Sequence, residues 1–207
     1  MPGSRRGRPA AADGRDTRRA LLIATRELLS ENGFDRTTVR AVAAGAGVDV
    51  ALVYHYFASK DELVIEALRP PVDTAAVFAD LPRSSAAGPE FVRRAFCLWE
   101  EPEVLAHVMG VLKVAAVRAD VAALVHHIPV SIVREALGDR VRPDDPDYRL
   151  ALIAAQVAGL LMMRFVVRQP DVVATSIVDL AATLGPVVNH YLYDDLPRPS
   201  VRRDGMR

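Results

Sequence analysis

Residues 37–68 read TTVRAVAAGAGVDVALVYHYFASKDELVIEAL, and the reading of this stretch decides the fold. Thr37 or Thr38 can cap a short helix that runs to about Gly45 or Ala46 and is built of Val39, Ala41, Val42, Ala43 and Ala44. Gly47 then breaks the pattern, Val48 supplies a buriable anchor, and Asp49 is a natural N-cap for a further helix, VALVYHY, over residues 50–56. Two short helices joined by a tight glycine-containing turn make the helix-turn-helix pattern. Ser59 and Glu62 have the spacing of a capping box, and the apolar Leu63, Val64, Ala67 and Leu68 carry a fourth helix until Pro70 and Pro71 interrupt it.

Toward the N-terminus, Leu21, Ala24, Thr25, Leu28 and Leu29 share one side of a helix expected over residues 17–32, which Gly33 ends and onto which Phe34 folds back. Arg5, Arg6, Arg8, Arg15, Arg18 and Arg19 precede or open it against only Asp13 and Asp16, so residues 1–16 read as a disordered basic arm. Toward the C-terminus, a loop at 82–89 leads into helices expected at 90–99 and 103–117. A helix capped by Asp120 should reach about 137, a polar loop covers 138–147, and two long apolar helices occupy 148–167 and 171–193. The expected architecture is all-α: a helix-turn-helix head at 17–64, a larger helical domain at 65–195, and a flexible basic tail at 196–207.

Composition narrows the function classes. Apolar residues make up 51% of the chain, enough for a large core, although abundant valine weakens the helical reading of the C-terminal half. Lysine plus arginine equals aspartate plus glutamate, 26 against 26, so any case for nucleic acid rests on where charges sit. The single cysteine, Cys97, excludes an internal disulfide and a multi-cysteine zinc site and reads as a buried thiol. His126 and His127 are adjacent and so should point apart, with no carboxylate at ligand spacing; neither metal nor cofactor is expected. The apolar run at 151–167 is interrupted by Gln156 and Arg164 and reads as a packed helix, so the expectation is a cytoplasmic protein with no membrane partner. No nucleophile elbow, phosphate loop, Cys/His pairing or set of convergent carboxylates argues for an enzyme.

Thr37-Thr38, Ala43, Gly47-Val48, Tyr54, Tyr56-Phe57, Lys60 and Leu63 stand at the spacing of the TetR family of bacterial one-component regulators, which residues 37–68 resemble. Gly33-Phe34 extends the likeness back to about residue 18, so that it covers about a quarter of the chain. Two positions depart from the family pattern: Val42 shortens an isoleucine or leucine, and Leu52 is apolar where many relatives carry a small polar residue. The C-terminal half resembles the family's core domain only loosely, with QVAGLLMMRFVV similar to its penultimate helix. The resemblance implies a DNA-binding head and a core domain whose last two helices pair with those of a second copy. It also implies a small-molecule effector that binds inside that domain and releases the DNA.

On this reading helix 50–56 faces the major groove, the one groove wide enough for a helix and distinctive at every base pair. Val53 and Phe57 pack inward with Val48, leaving Val50, Ala51, Leu52, Tyr54, His55 and Tyr56 as the outward set. By family position Tyr54 and Lys60 contact phosphates, and Thr38 grips another at its helix start. One head covers one half-site, so a palindromic operator and a homodimer are expected. Ala151, Ala155, Ala158 and Gly159 on one helix, with Ile177, Leu180, Leu184 and Val188 on the last, are the expected interface. Phe91, Phe96, Trp99, Met109, Met162, Met163 and Phe165 are candidates to line an effector cavity, with Arg118 and His126 as polar partners, although residues of these types at helical spacing also make ordinary core. The competing readings are an activator of the same fold and a helical interaction protein whose head has lost DNA binding.

Overall fold

The computed structural model describes residues 11–197, and among them every regular element is helical. The helices are α1 (Ala11–Arg36), α2 (Val39–Gly45), α3 (Val50–Tyr56), α4 (Lys60–Leu68), α5 (Thr74–Phe78), α6 (Ala87–Glu100), α7 (Pro102–Val117), α8 (Ala119–Val125), α9 (His127–Leu137), α10 (Pro146–Leu161), α11 (Pro170–Ala174) and α12 (Ile177–Tyr193). A π-helical turn, Met162–Val167, prolongs α10. The chain forms two compact units. One contains the residues up to Pro71 together with Leu105–Ile128; the other contains Val72–Val104 and the residues from Pro129 onward. The boundary expected at 64/65 thus becomes an interleaved one, because α8 and most of α7 pack with the head.

In the first unit α1, α2, α3 and α4 close over Leu21, Ala24, Val42, Ala43, Val53, Phe57 and Leu63. Each of the larger side chains contributes roughly 1.5–3 kcal/mol on burial before chain entropy is charged against it. The short helices are fixed at their starts by side chains. Thr38 Oγ1 accepts from Ala41 N at 3.1 Å, Asp49 Oδ1 from Ala51 N at 2.7 Å, and Ser59 Oγ from Glu62 N at 3.1 Å. Glu62 reaches back to the Ala58 N–H, completing a box displaced by one residue. Gly47 sits at φ 69 in the turn between α2 and α3, and Gly33 takes φ 77 and ψ −177, a conformation that belongs almost wholly to glycine.

In the second unit α6 packs along α12, with α10 beside them, around a core that includes Phe91, Val92, Phe96, Leu150, Ile153, Val157, Leu184, Val188 and Leu192. Arg149 is 1% exposed within this apolar setting. Its guanidinium donates to the carbonyls of Asp144, Tyr191 and Asp194 and pairs with the Asp144 carboxylate, so the loop before α10 and the C-terminal end of α12 are tied to one group. Pro146–Val167 is long and apolar enough to cross a membrane, with a mean hydropathy of 2.1. Leu150, Ile153, Ala154, Val157 and Leu161 nevertheless turn one side of it into the unit's core.

Several sequence expectations are corrected. The first helix starts at Ala11, inside the expected arm, whose residues 1–10 lie outside the described range, as do 198–207 of the tail. Residues 87–89 belong to α6, and 74–78 form the unforeseen α5. Asp120 lies inside the first turn of α8 and is not its cap. The expected helix from 120 to 137 divides at His126, just ahead of Pro129, which has no N–H to continue the ladder. That break also alters the histidine pair, whose exposed rings lie 3.7 Å apart at 41° and do not diverge. The last expected helix is likewise two, α11 and α12, with Ser176 capping the second. Cys97 is exposed, its sulfur 3.8 Å from an Arg93 N–H.

Candidate nucleic-acid interface

Helix α3 is held by its cap at one end and its core residues at the middle and far end. Asp49 fixes the start, Val53 is 1% exposed, and Phe57, the residue after the last turn, is 2% exposed. What remains outward follows from 3.6-residue periodicity. Ala51, Tyr54 and His55 are exposed, and Tyr54 is the most open of the head's large hydrophobic side chains at 58%. Val50, Leu52 and Tyr56 are half-buried, Val50 and Tyr56 against the head's core. The Tyr56 ring meets His55 edge to face at 5.1 Å, and its hydroxyl lies beside Gly14 of α1. Thr38 is exposed, its hydroxyl oxygen engaged by the α2 cap.

Lys60 is tied inward. Its ammonium donates to the Phe34 carbonyl at 2.5 Å and sits 4.0 Å from the centroid of the Phe34 ring. The same Phe34 peptide is gripped from its other side, since its N–H donates to Asp120 Oδ2 at 2.8 Å. Arg118 completes the arrangement by donating to the Asn32 carbonyl at 3.2 Å and to Asp120 Oδ1 at 3.3 Å. The Phe34 N–H, and secondarily the Arg118 side chain, hold the Asp120 carboxyl below the usual carboxylate range. The kink at Gly33 is what opens room for this. A Cβ built there would meet Arg118 Nη2 at 1.6 Å, so any side chain at this position would displace the guanidinium. Sequence reasoning assigned Arg118 to an effector cavity and missed the grip, because its partners stand 86 residues away and no periodicity links them.

The other expected sites divide between the units. Phe91 and Phe96 are buried core, while the Trp99 and Phe165 rings lie tilted to each other with centroids 5.8 Å apart and both pack against that core half-buried. Met162 is half-buried and Met163 exposed in the π-helical turn. Met109, Arg118 and His126 belong to the first unit and the other six candidates to the second. A cleft of about 410 Å³ does exist in the first unit, and it is lined by none of the nine. Of the expected interface, Ala155 and Gly159 are exposed and Ala151, Ala158 and Ile177 half-buried, whereas Leu180, Leu184 and Val188 are consumed within the second unit's core. The open side of α12 instead presents Val178, Ala182 and Pro186.

A capped three-helix head with an outward aromatic helix, joined to a helical bundle, defines the helix-turn-helix class of regulator. Residues 21–67 match the family model described as bacterial regulatory proteins, tetR family, and residues 86–192 match the tetracyclin repressor-like C-terminal domain. The chain belongs to the TetR family. Among relatives, the HTH-type transcriptional repressor KstR2 of Mycobacterium tuberculosis is 45% identical over 53 residues, 26% of either chain. The HTH-type transcriptional regulator UidR of Escherichia coli is 35% identical over 52 residues, 25% of this chain and 26% of its own. The chain therefore matches about a quarter of the length of these relatives. A TetR-family regulator from Streptomyces coelicolor A3 extends the likeness to both units, at 28% identity and a TM-score of 0.60, covering 92% of this chain and 99% of that one.

Proposed function

We propose that this regulator binds a palindromic DNA operator as a homodimer, with α3 in the major groove, and represses transcription until a small molecule releases it. The observation that carries the reading is the outward set Ala51, Tyr54 and His55, left open on a helix whose other side is locked. Tyr54 supplies a hydroxyl for a phosphate, and His55 a ring N–H for a base edge or phosphate. Lys60 retains two N–H donors after serving Phe34, so a phosphate can join that contact without breaking it. Leu52, Val50 and Ala51 suit thymine methyl groups, and their shortage of hydrogen-bonding groups shifts part of the discrimination onto DNA shape. A repressor is preferred because a relative that matches 53 residues of this chain, KstR2, carries that name.

Dimerisation follows from half-site geometry, and the small outward residues Ala151, Ala155, Ala158 and Gly159 on α10 suit close helix contact, with Val178, Ala182 and Pro186 of α12 beside them. Such a protein works where the DNA is, in the bacterial cytoplasm. The test is selection of bound fragments from random DNA, followed by titration of the selected duplex with the parent chain and a Tyr54→Ala, Lys60→Ala double variant. Inverted half-sites about one helical turn apart are expected. The double variant should bind all sequences more weakly and with a shallower salt dependence, by up to about one counterion for Lys60. Affinity unchanged by the pair of substitutions, or selection of no repeated sequence, overturns the reading.

A further inference from the structure

We propose that the cleft between α1, α4 and α7 in the first unit is a binding site for a small apolar anion, separate from any effector cavity in the second. At about 410 Å³ it falls within the roughly 300–1,000 Å³ typical of ligand pockets. Its walls are chiefly apolar, with Leu29 of α1, Leu68 of α4, and Val111 and Val114 of α7. An aliphatic or aromatic body entering there leaves water on all of these sides at once.

The charge preference comes from Arg26. This residue is half-buried, and its Nη1 donates to the Ala67 carbonyl at 3.3 Å. Among the described residues no carboxylate lies within ion-pair distance of it. Burial, and next the neighbouring Arg19, lower its pKa, against a smaller opposing effect of Glu27, as for a guanidinium that has given up more water than its neighbours replace. Five N–H donors with one engaged leave a fork suited to a carboxylate, sulfonate or phosphate.

The other lining groups agree with this choice. His107 approaches the Leu68 carbonyl through Nε2 at 3.2 Å, and a carbonyl only accepts, so Nε2 carries the proton. Burial lowers the pKa of this imidazole, leaving it neutral near pH 7 and no competitor for the anion. Glu27 and Glu31 also border the cleft, but both are exposed, and the Glu27 charge only partly offsets what burial and Arg19 do to Arg26. The site uses only residues of the first unit and does not depend on the head binding DNA.

The full chain is titrated with 8-anilinonaphthalene-1-sulfonate and with N-phenyl-1-naphthylamine, the same ring system without its charge, each followed by fluorescence. The sulfonate should bind about tenfold more tightly, the size of one charge-assisted contact. Arg26→Gln should bring the two probes to similar, weak affinity. Gly110→Phe should remove both, because Gly110 borders the cleft and a Cβ there meets nothing within 4 Å, so a side chain can start from this wall into the space. Circular dichroism establishes that each variant is folded. Equal affinity of the two probes for the parent chain overturns the proposal, as does sulfonate binding that survives Gly110→Phe.

Discussion

The head closes three capped helices of seven to nine residues over a core cluster of seven buried apolar side chains, while the bundle of the second unit closes over nineteen. With so little burial available, the head relies on local hydrogen bonds at helix starts, and those same bonds fix which side of α3 is left open. The bundle has burial to spare and carries its main polar tie inside, at Arg149. Polar groups therefore set direction in the head and join distant chain segments in the bundle. Substitutions that remove one or the other should differ in size accordingly.

The largest effect is expected at Arg149. Arg149→Ala removes a 1%-exposed side chain and leaves the carbonyls of Asp144, Tyr191 and Asp194 without their donor, along with a cavity. A loss of about 3 kcal/mol is expected, read as a lowered urea midpoint. Arg149→Lys should recover only part of it, since one ammonium cannot repeat the planar reach to both chain segments. If Arg149→Ala unfolds at the parent's midpoint, the bundle has no polar lock and the contrast with the head disappears.

How much of this was legible in the sequence follows the same division. Thr38, Asp49 and Ser59 were readable as caps because a cap speaks to a residue two or three places away. Once the caps and Val53 were set, the outward position of Tyr54 and His55 followed. The grip of Asp120 and Arg118 on the turn at Gly33-Phe34 was not readable, since it spans 86 residues and each of its side chains has ordinary local roles. In the bundle, periodicity showed that Leu180, Leu184 and Val188 share one side of a helix. It could not say whether that side meets α6 of the same chain or a second copy, because both demand the same apolar spacing. The break before α12 did leave a trace. Ser176 with Asp179 three residues on is a cap pair, with Asp179 N donating to Ser176 Oγ at 3.1 Å, hidden among residues that also continue a helix.

The middle-sized effect tests the head. Asp49→Ala removes the acceptor for the Ala51 N–H and should cost about 1 kcal/mol, a third of the Arg149 effect though it falls on an exposed residue. Asp49→Ser should restore most of it, as a hydroxyl serves the same N–H. Thermal denaturation measures both. Asp49→Ala and Asp49→Ser losing equal stability would mean that α3 is held by core packing alone and that its cap sets nothing.

The smallest effect belongs to surface charge in the bundle. Glu90, in the first turn of α6, accepts from Arg93 Nη2 and Arg94 Nε, each at 2.7 Å, and Arg94 also reaches the Val77 carbonyl and Asp80 of the preceding segment. The hydrogen bonds from Arg93 and Arg94 bring the Glu90 carboxyl from 4.5 down to about 2. A carboxyl whose pKa is lower in the folded chain stabilises fully above its unfolded value, and the contribution fades as pH falls from 4.5 toward 2. With 26% of the side chain open to water, screening leaves less than about 1 kcal/mol at neutral pH. Glu90→Gln should therefore lower the urea midpoint slightly at pH 7, and the gap to the parent should narrow on acidification through that window. A gap that stays constant from pH 7 to pH 2 would show that the glutamate acts by packing and that its two arginines contribute no charge-dependent stability.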